Sequence, residues 1–346
     1  MSVIPDNTGA AAAAFPYPVA VCDIGGTNVR LAETTTPGGA LKIVARIGTG
    51  EHDTLAHAIA SCRDAFAAPP RSLIVCAAGP VDGRSVKLTN ARWTIDGPQV
   101  AEALGLEQGL LFNDFEAQAI MLPSLRGEHV LAIGEQAAPA AEGTHLVLGP
   151  GTGLGAGLLV PAQGALMPLM TEAGHMDFGA VSPFDVAIWA IVRRDFGRVT
   201  GESLLSGPGT VRLYRAICEL EGVSPATDDP ATITELAFAN RDGLEARTLR
   251  AFWILVGRFA GSLALGFVAK GGVTLSGGIL KRIVDFLDPA AFRRAFEDQA
   301  PLQALVAKIP VRLVTDDRSV LEGLAALAAN PGRFRIAYEE RLWRSR

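Results

Sequence analysis

Between residues 149 and 157 the chain reads Gly-Pro-Gly-Thr-Gly-Leu-Gly-Ala-Gly, with glycine at every other position. Alternate side chains of an extended segment point to one face, so this pattern strips a face bare. Glycine in a strand costs conformational entropy and offers no side chain to pack. Something must therefore lie against the bare face, either a ligand phosphate or a neighbouring backbone. No Lys follows the last glycine, and Leu154 stands where G-x-G-x-x-G needs its third glycine. The run thus supports neither a Walker-type ATPase nor a Rossmann dehydrogenase.

A related device occurs earlier, where Asp23-Ile24-Gly25-Gly26-Thr27-Asn28-Val29-Arg30 follows an apolar run over 18–24. Two glycines at a tight hairpin leave backbone N–H groups open to a phosphate, and Thr27 adds a hydroxyl donor. Asp23 at the strand end can hold a hydrated Mg²⁺ that neutralises the phosphates it bridges. The plainer reading is a β-hairpin turn closed by an aspartate. The full D-x-G-G-T-x-x-R string favours the phosphate reading.

Around these turns the pattern alternates between short apolar runs and helical periodicity. Residues 18–24, 28–35 and 40–47 read as strands, 54–66 as a helix, and 72–78 as a strand. A short strand over 109–112 runs into Asn113, Asp114 and a helix with Phe115, Ala119 and Leu122 at i, i+4, i+7. Strand character returns at 144–149 and, past the glycine-rich turn, at 157–162. Ser182 before Pro183 marks a helix start, with Phe184, Ile188, Ile191 and Val192 as its apolar stripe. Helices are expected at 208–219, 232–240, 244–269 and about 320–329, and strands at 272–277 and 310–315. Strand, hairpin, phosphate-type turn and helices occur in that order twice. This predicts two related α/β lobes with a cleft between them.

Four further places offer chemistry. Asp114, at a strand's end and a helix's start, is either a helix cap or a carboxylate that takes a proton from an attacking hydroxyl. Glu172 and His175, at i, i+3 with small residues between, can grip one polar ligand. Zinc competes for His175, but no cysteine lies near it, and a satisfied structural histidine is the remaining alternative. Glu202 precedes a helix and is either a first-turn acid or a ligand group. Gly277 and Gly278 follow a strand and open a helix, a seat for a ribose or adenine or an ordinary turn.

Composition removes several function classes. Lys and Arg total 31 against 36 Asp and Glu, a net charge of −5, which gives no field to gather nucleic acid or an anionic membrane. Residues 252–269 are apolar enough to consider for a membrane, but Arg258 near their middle would cost about 2.5–3.5 kcal/mol in a bilayer. A buried helix is the expectation. Residues 1–18 carry no Lys or Arg, lack the basic-then-apolar order of a signal peptide, and read as a disordered leader. Cys22, Cys62, Cys76 and Cys218 show no CxxC spacing, which fits reduced thiols in a cytoplasm.

Taken together, these strings resemble the bacterial glucokinases of the hexokinase–actin–heat-shock ATPase superfamily, over about residues 19–327 and in family order. DIGGTNVRLA and LGPGTGLGAGLL resemble the two phosphate loops, and LSGGIL the adenosine-side turn. LTNARW, FNDFEAQA, EAGHMDF and ESLLSGPG resemble the sugar-side and catalytic segments. The resemblance implies a two-lobed actin-like ATPase (ribonuclease H-like) fold. A leader would span 1–18, a small lobe 19–123 plus about 317–346, and a large lobe 124–316. It implies ATP-dependent conversion of glucose to glucose 6-phosphate in the cytoplasm by a homodimer, with Mg²⁺ and without structural zinc. Asp114 would be the general base. Asn90, Asn113, Asp114, Glu172, His175 and Glu202 would hold the sugar. Cys22, Asp23, Ile24, Gly25, Gly26, Thr27, Gly151, Thr152, Gly277 and Gly278 would hold the nucleotide. Another hexose (mannose, fructose or an N-acetyl amino sugar) or an idle sugar-binding regulator are the competing functions. Cys22 replaces a usual glycine before the aspartate, and Thr171 and Ala173 replace glycines beside Glu172. These changes add bulk near the ligands. The cysteine-rich zinc motif of the related repressor–kinase branch is absent.

Overall fold

The strand Val19–Ile24 is buried at all six positions, so it can only be the interior of a sheet covered on both faces. In the computed structural model, which describes residues 14–89, 91–135, 138–140 and 142–344, it lies fourth in the order Trp343–Arg344, Gln108–Asn113, Ser72–Ala77, Val19–Ile24, Asn28–Thr34, Lys42–Gly48. The last three form an antiparallel meander. Ser72–Ala77 and Gln108–Asn113 run parallel to Val19–Ile24, and Trp343–Arg344 closes one edge antiparallel. Among the described residues this sheet belongs to a compact unit of 14–126, 159–170 and 316–344. Its core includes Cys22, Ile24, Leu31, Leu73, Val75, Trp93, Leu111 and Trp343.

The second compact unit takes Gly127–Leu158 and Thr171–Thr315, and a second six-stranded sheet, whose residues 159–170 are grouped with the first unit, repeats the plan of the first sheet. The sheet order is Ala165–Thr171, Leu154–Ala162, His145–Pro150, Gly272–Leu275, Val311–Val314, Val130–Ala132. Again a chain-adjacent meander is followed by parallel strands, with a short antiparallel strand at the far edge. The duplicated order expected from the two glycine turns is therefore present strand for strand.

Helices follow their sequence signals closely. Ser182 caps Pro183–Phe196 through a full capping box with Asp185. The periodic stripe is only partly right, because Ile188 and Val192 are buried but Phe184 and Ile191 are not fully so. Residues 252–266 of the apolar stretch considered for a membrane lie in the helix Leu244–Gly266, which ends three residues before the expected 269, and two-thirds of that helix's most apolar window is buried inside the protein. Arg258 is itself buried there and ion-paired with buried Asp185. Sequence periodicity missed the helix Gly97–Leu104, although Asp96 caps it, Pro98 occupies its first turn and Gly105 ends it in the left-handed region.

Candidate active site

Strand register brings the first group of candidates together. Ile24 pairs with Ala77 and Ala77 with Asn113, so three parallel strands end at one level. Ligand sites of open α/β sheets form at such carboxyl ends. One residue back, Asp23 lies opposite Cys76. Arg30, its partner across the hairpin, pairs with one carboxylate oxygen and also donates to the Asp317 carbonyl at 2.6 Å. The Cys76 thiol donates to the other oxygen at 3.4 Å.

Asp114 is the first residue of the helix Asp114–Met121, and it is not the cap. Asn113 is. Its Oδ1 accepts from the Phe115 and Glu116 amides at 2.9 and 3.4 Å, and its Nδ2 donates to the Gly79 carbonyl at 3.0 Å. The cap reading of Asp114 is thereby corrected, and the Asn113 side chain also hydrogen-bonds the Asp114 carboxylate. Asp114 accepts from the Phe115 amide at 3.1 Å. Burial first, then the nearby Asp23 charge, push its carboxyl from 3.8 up to about 6, against the opposing pull of the Phe115 amide. Asn90 lies outside the described residues.

The first glycine turn is tied by its carbonyls. Thr49 donates its amide to Thr27 O and its hydroxyl to Gly26 O, both at 3.0 Å. Gly25 N donates to Asn28 O at 2.9 Å. Among the described residues the Gly26 and Thr27 amides have no protein acceptor. Cys22 and Ile24 point their side chains into the apolar core, so any ligand contact from them is by main chain, and the extra bulk of Cys22 goes into packing.

In the second unit, the bare face noted at 149–157 has two uses. A side chain at Gly151 would meet no atom within 4 Å, whereas one at Gly153 would meet a Glu202 carboxylate oxygen at 2.5 Å. Glu202 also accepts from the Leu154 amide at 2.9 Å. Gly174 sits directly on the Leu154 carbonyl, with no room for a Cβ, which packs the Glu172–His175 turn onto the loop. Thr171, expected as added bulk, donates its hydroxyl to Ala156 O and accepts from Ala173 N, both at 3.3 Å. Exposed Thr152 stands at the loop's tip. Gly277, at φ +101°, approaches Pro150 O so closely that a Cβ would lie 2.6 Å away. The Gly277–Gly278 turn therefore adjoins the loop.

The structure also brings Glu172, His175 and Glu202 together. His175 Nε2 is 3.7 Å from Glu172 and its Nδ1 3.9 Å from Glu202, with side-chain exposures of 57, 76 and 34% for His175, Glu172 and Glu202. These separations are too long for direct hydrogen bonds, with room for another polar group to join.

Behind them, Arg258 donates to the Gly179 carbonyl at 3.0 Å and stacks on Phe178 at 4.2 Å. Phe178 packs edge-on against Phe259 at 5.1 Å, and Phe259 fills the space beside Gly201. Sequence reasoning gave Arg258 and Asp185 no role. An Arg inside an apolar helix demands a buried acid, and an acid three residues after a Ser–Pro start was the available signal.

The Gly26 and Thr27 amides of the first turn fit a nucleotide's phosphates, whereas the Gly151 amide is already given to the Gly153 carbonyl at 2.7 Å. Asp23 has both oxygens engaged by Arg30 and Cys76 but keeps further lone pairs, which fits a metal ion met through its water shell.

The model of the Glucokinase family matches residues 20–331. Glucokinase of Brucella suis biovar 1 (strain 1330) is 42% identical over 333 residues, covering 96% of this chain and 97% of the relative. Among solved structures, glucokinase from an Antarctic psychrotroph superposes with a TM-score of 0.81 at 31% identity, over 90% of this chain and 99% of that one. Glucokinase from Balamuthia mandrillaris in complex with glucose gives 0.75 at 19% identity, over 90 and 93%. That likeness is one of fold.

Proposed function

The chain belongs to the glucokinase family, and on that premise we propose that it transfers the terminal phosphoryl group of ATP to the 6-hydroxyl of glucose. Its fold is the α/β actin-like ATPase type, with a ribonuclease H-like sheet in each unit. The observation that carries the reading is Asp114, a half-buried carboxyl at a strand's carboxyl end, raised to about 6. Such a group is mostly ionised at neutral pH yet basic enough to accept a proton in the transition state.

Asp114 takes the hydroxyl proton as the sugar oxygen bonds to phosphorus and the bond to the departing ADP oxygen breaks. Asn113, whose side chain also bonds the Asp114 carboxylate, helps hold the sugar beside the base. Glu172 and Glu202 accept from sugar hydroxyls, and His175 between them orients both. The Gly26 and Thr27 amides, with the Thr27 and Thr152 hydroxyls, cradle the phosphates, Gly151 shapes the second loop through its amide bond to Gly153, and Gly277 and Gly278 face the nucleoside. Bound Mg²⁺ would supply charge neutralisation at the phosphates. Asp23, with Arg30 holding its orientation, would meet the ion's waters.

Coupled measurement of ADP release across a panel of hexoses tests the assignment. Strongly sugar-dependent turnover, best with glucose, is expected. Equal ATP turnover with and without sugar would overturn it, and preference for another hexose would change the substrate only.

A further inference from the structure

We infer that Arg341, ten residues past the end of the family match at 331, is a positioning residue for Asp114. The inference rests on the reading of Asp114 as the base. One guanidinium makes three bonds around that residue. It donates to both oxygens of Glu116 at 2.6 and 2.8 Å and to the Leu111 carbonyl at 2.8 Å. Leu111 lies three residues before Asp114 on the strand, and Glu116 two after it on the helix. The planar fork therefore spans the strand-to-helix bend on which the base sits, and it fixes the angle of that bend as a point charge would not. It also lies over the Phe112 ring at 4.8 Å.

The edge ladder shows why a side chain is needed there. Trp343 pairs with Gly109 and Arg344 with Gln108, and this pairing stops short of Leu111. Arg341 takes the Leu111 carbonyl in place of a strand amide. Arg341 is itself anchored two residues further along the chain, because the Trp343 indole fills the space beside Gly97 and Gly109. A Cβ on either would come within 2.5 and 2.7 Å of the ring. On its other side, the helix Asp114–Met121 packs on Ser319–Ala329, where a Cβ at Gly323 would meet Met121 Cα at 2.5 Å. With Glu116 only 7% exposed, the pair is too buried to be a solvated surface bridge, and it directs the helix start.

Proton transfer in the transition state is steep in distance, and a displacement of about 1 Å can cost on the order of 10²-fold in rate. Three variants test the role: Arg341→Lys, Arg341→Gln, and Arg341→Gln combined with Glu116→Gln, which leaves no stranded carboxylate if the single change fails to fold. Folded sites are counted by titration with ATP, and kcat and both KM values are expressed per folded site. For the double variant we expect kcat to fall about 10- to 100-fold with both KM values within about twofold, and Arg341→Lys to recover part of the loss. Unchanged kcat per folded site, even with fewer sites or a lower Tm, would overturn the inference. Asp114→Asn run alongside separates the failures: if it remains active, the base assignment falls, and if it is dead while the Arg341 variants keep unchanged kcat per folded site, only the positioning role falls.

Discussion

The candidate residues of the first unit are held tightly and those of the second loosely. Asp23, Asn113 and Asp114 stand at buried strand ends, each bonded to named partners. Glu172, His175 and Glu202 sit on short, more exposed turns with separations of 3.7 and 3.9 Å. The difference reflects what each group would do. A base has to be desolvated to gain basicity and fixed in distance. Groups that recognise hydroxyls exchange water for ligand, and extensive burial in the free protein would raise the cost of that state without adding recognition.

The largest effect expected is at Asp114. Asp114→Asn leaves the Asn113 cap and the Phe115 amide bond in place, so folding should survive while kcat falls by at least about 10²-fold. Because the folded carboxyl is raised, the folded state binds the extra proton between pH 4 and 6 and this group favours folding more as pH falls through that window. Removing its charge should therefore raise Tm slightly at pH 7, as calorimetry would show. Equal kcat losses for Glu172→Gln or Glu202→Gln would break the contrast between the two regions.

Next comes the scaffold behind the loose group. Arg258→Met strands the buried Asp185 carboxylate and should cost about 3–5 kcal/mol of stability, read from urea unfolding. A loss under about 1 kcal/mol would mean that the turn residues do not depend on that hub.

A smaller change is expected with pH. The value of kcat/KM should drop about tenfold per unit below pH 6 as Asp114 takes up its proton, and remain level above it. A limb near pH 4 would remove the raised carboxyl from the mechanism. The least effect should be at His175, more than half exposed. His175→Asn should raise the KM for glucose by less than about tenfold with kcat nearly kept, since exposed polar contacts of this kind are each worth at most about 1 kcal/mol.

Much of the molecule was legible along the chain because it is local. Strand ends at Asp23 and Asn113, the alternating glycines, and the Ser182 start are each set by a few neighbouring residues. The features that escaped were long in sequence or decided between near-equals. Asn113 and Asp114 are both good caps, and only the strand's length gave the position to Asn113. Phe115 was expected on the buried face, yet Glu116 is buried instead because Arg341 meets it from 225 residues away. The Arg30 pairing with Asp23 required knowing that the hairpin register sets them opposite. Asp185 and Arg258, 73 residues apart, left only the oddity of a cation in an apolar helix.

Trp343 carries a consequence for how the molecule is made. The sheet that holds Asp23 and Asn113 uses residues from 19 to 344, and its edge strand with the wedged indole is synthesised after every residue of the second unit. The second unit has all its strands and helices by Thr315. On the ribosome, the turns carrying Glu172, His175 and Glu202 can thus mature while the strand leading to Asp114 still waits for its neighbour, so the nascent chain completes the surroundings of Asp114 after those of the second unit.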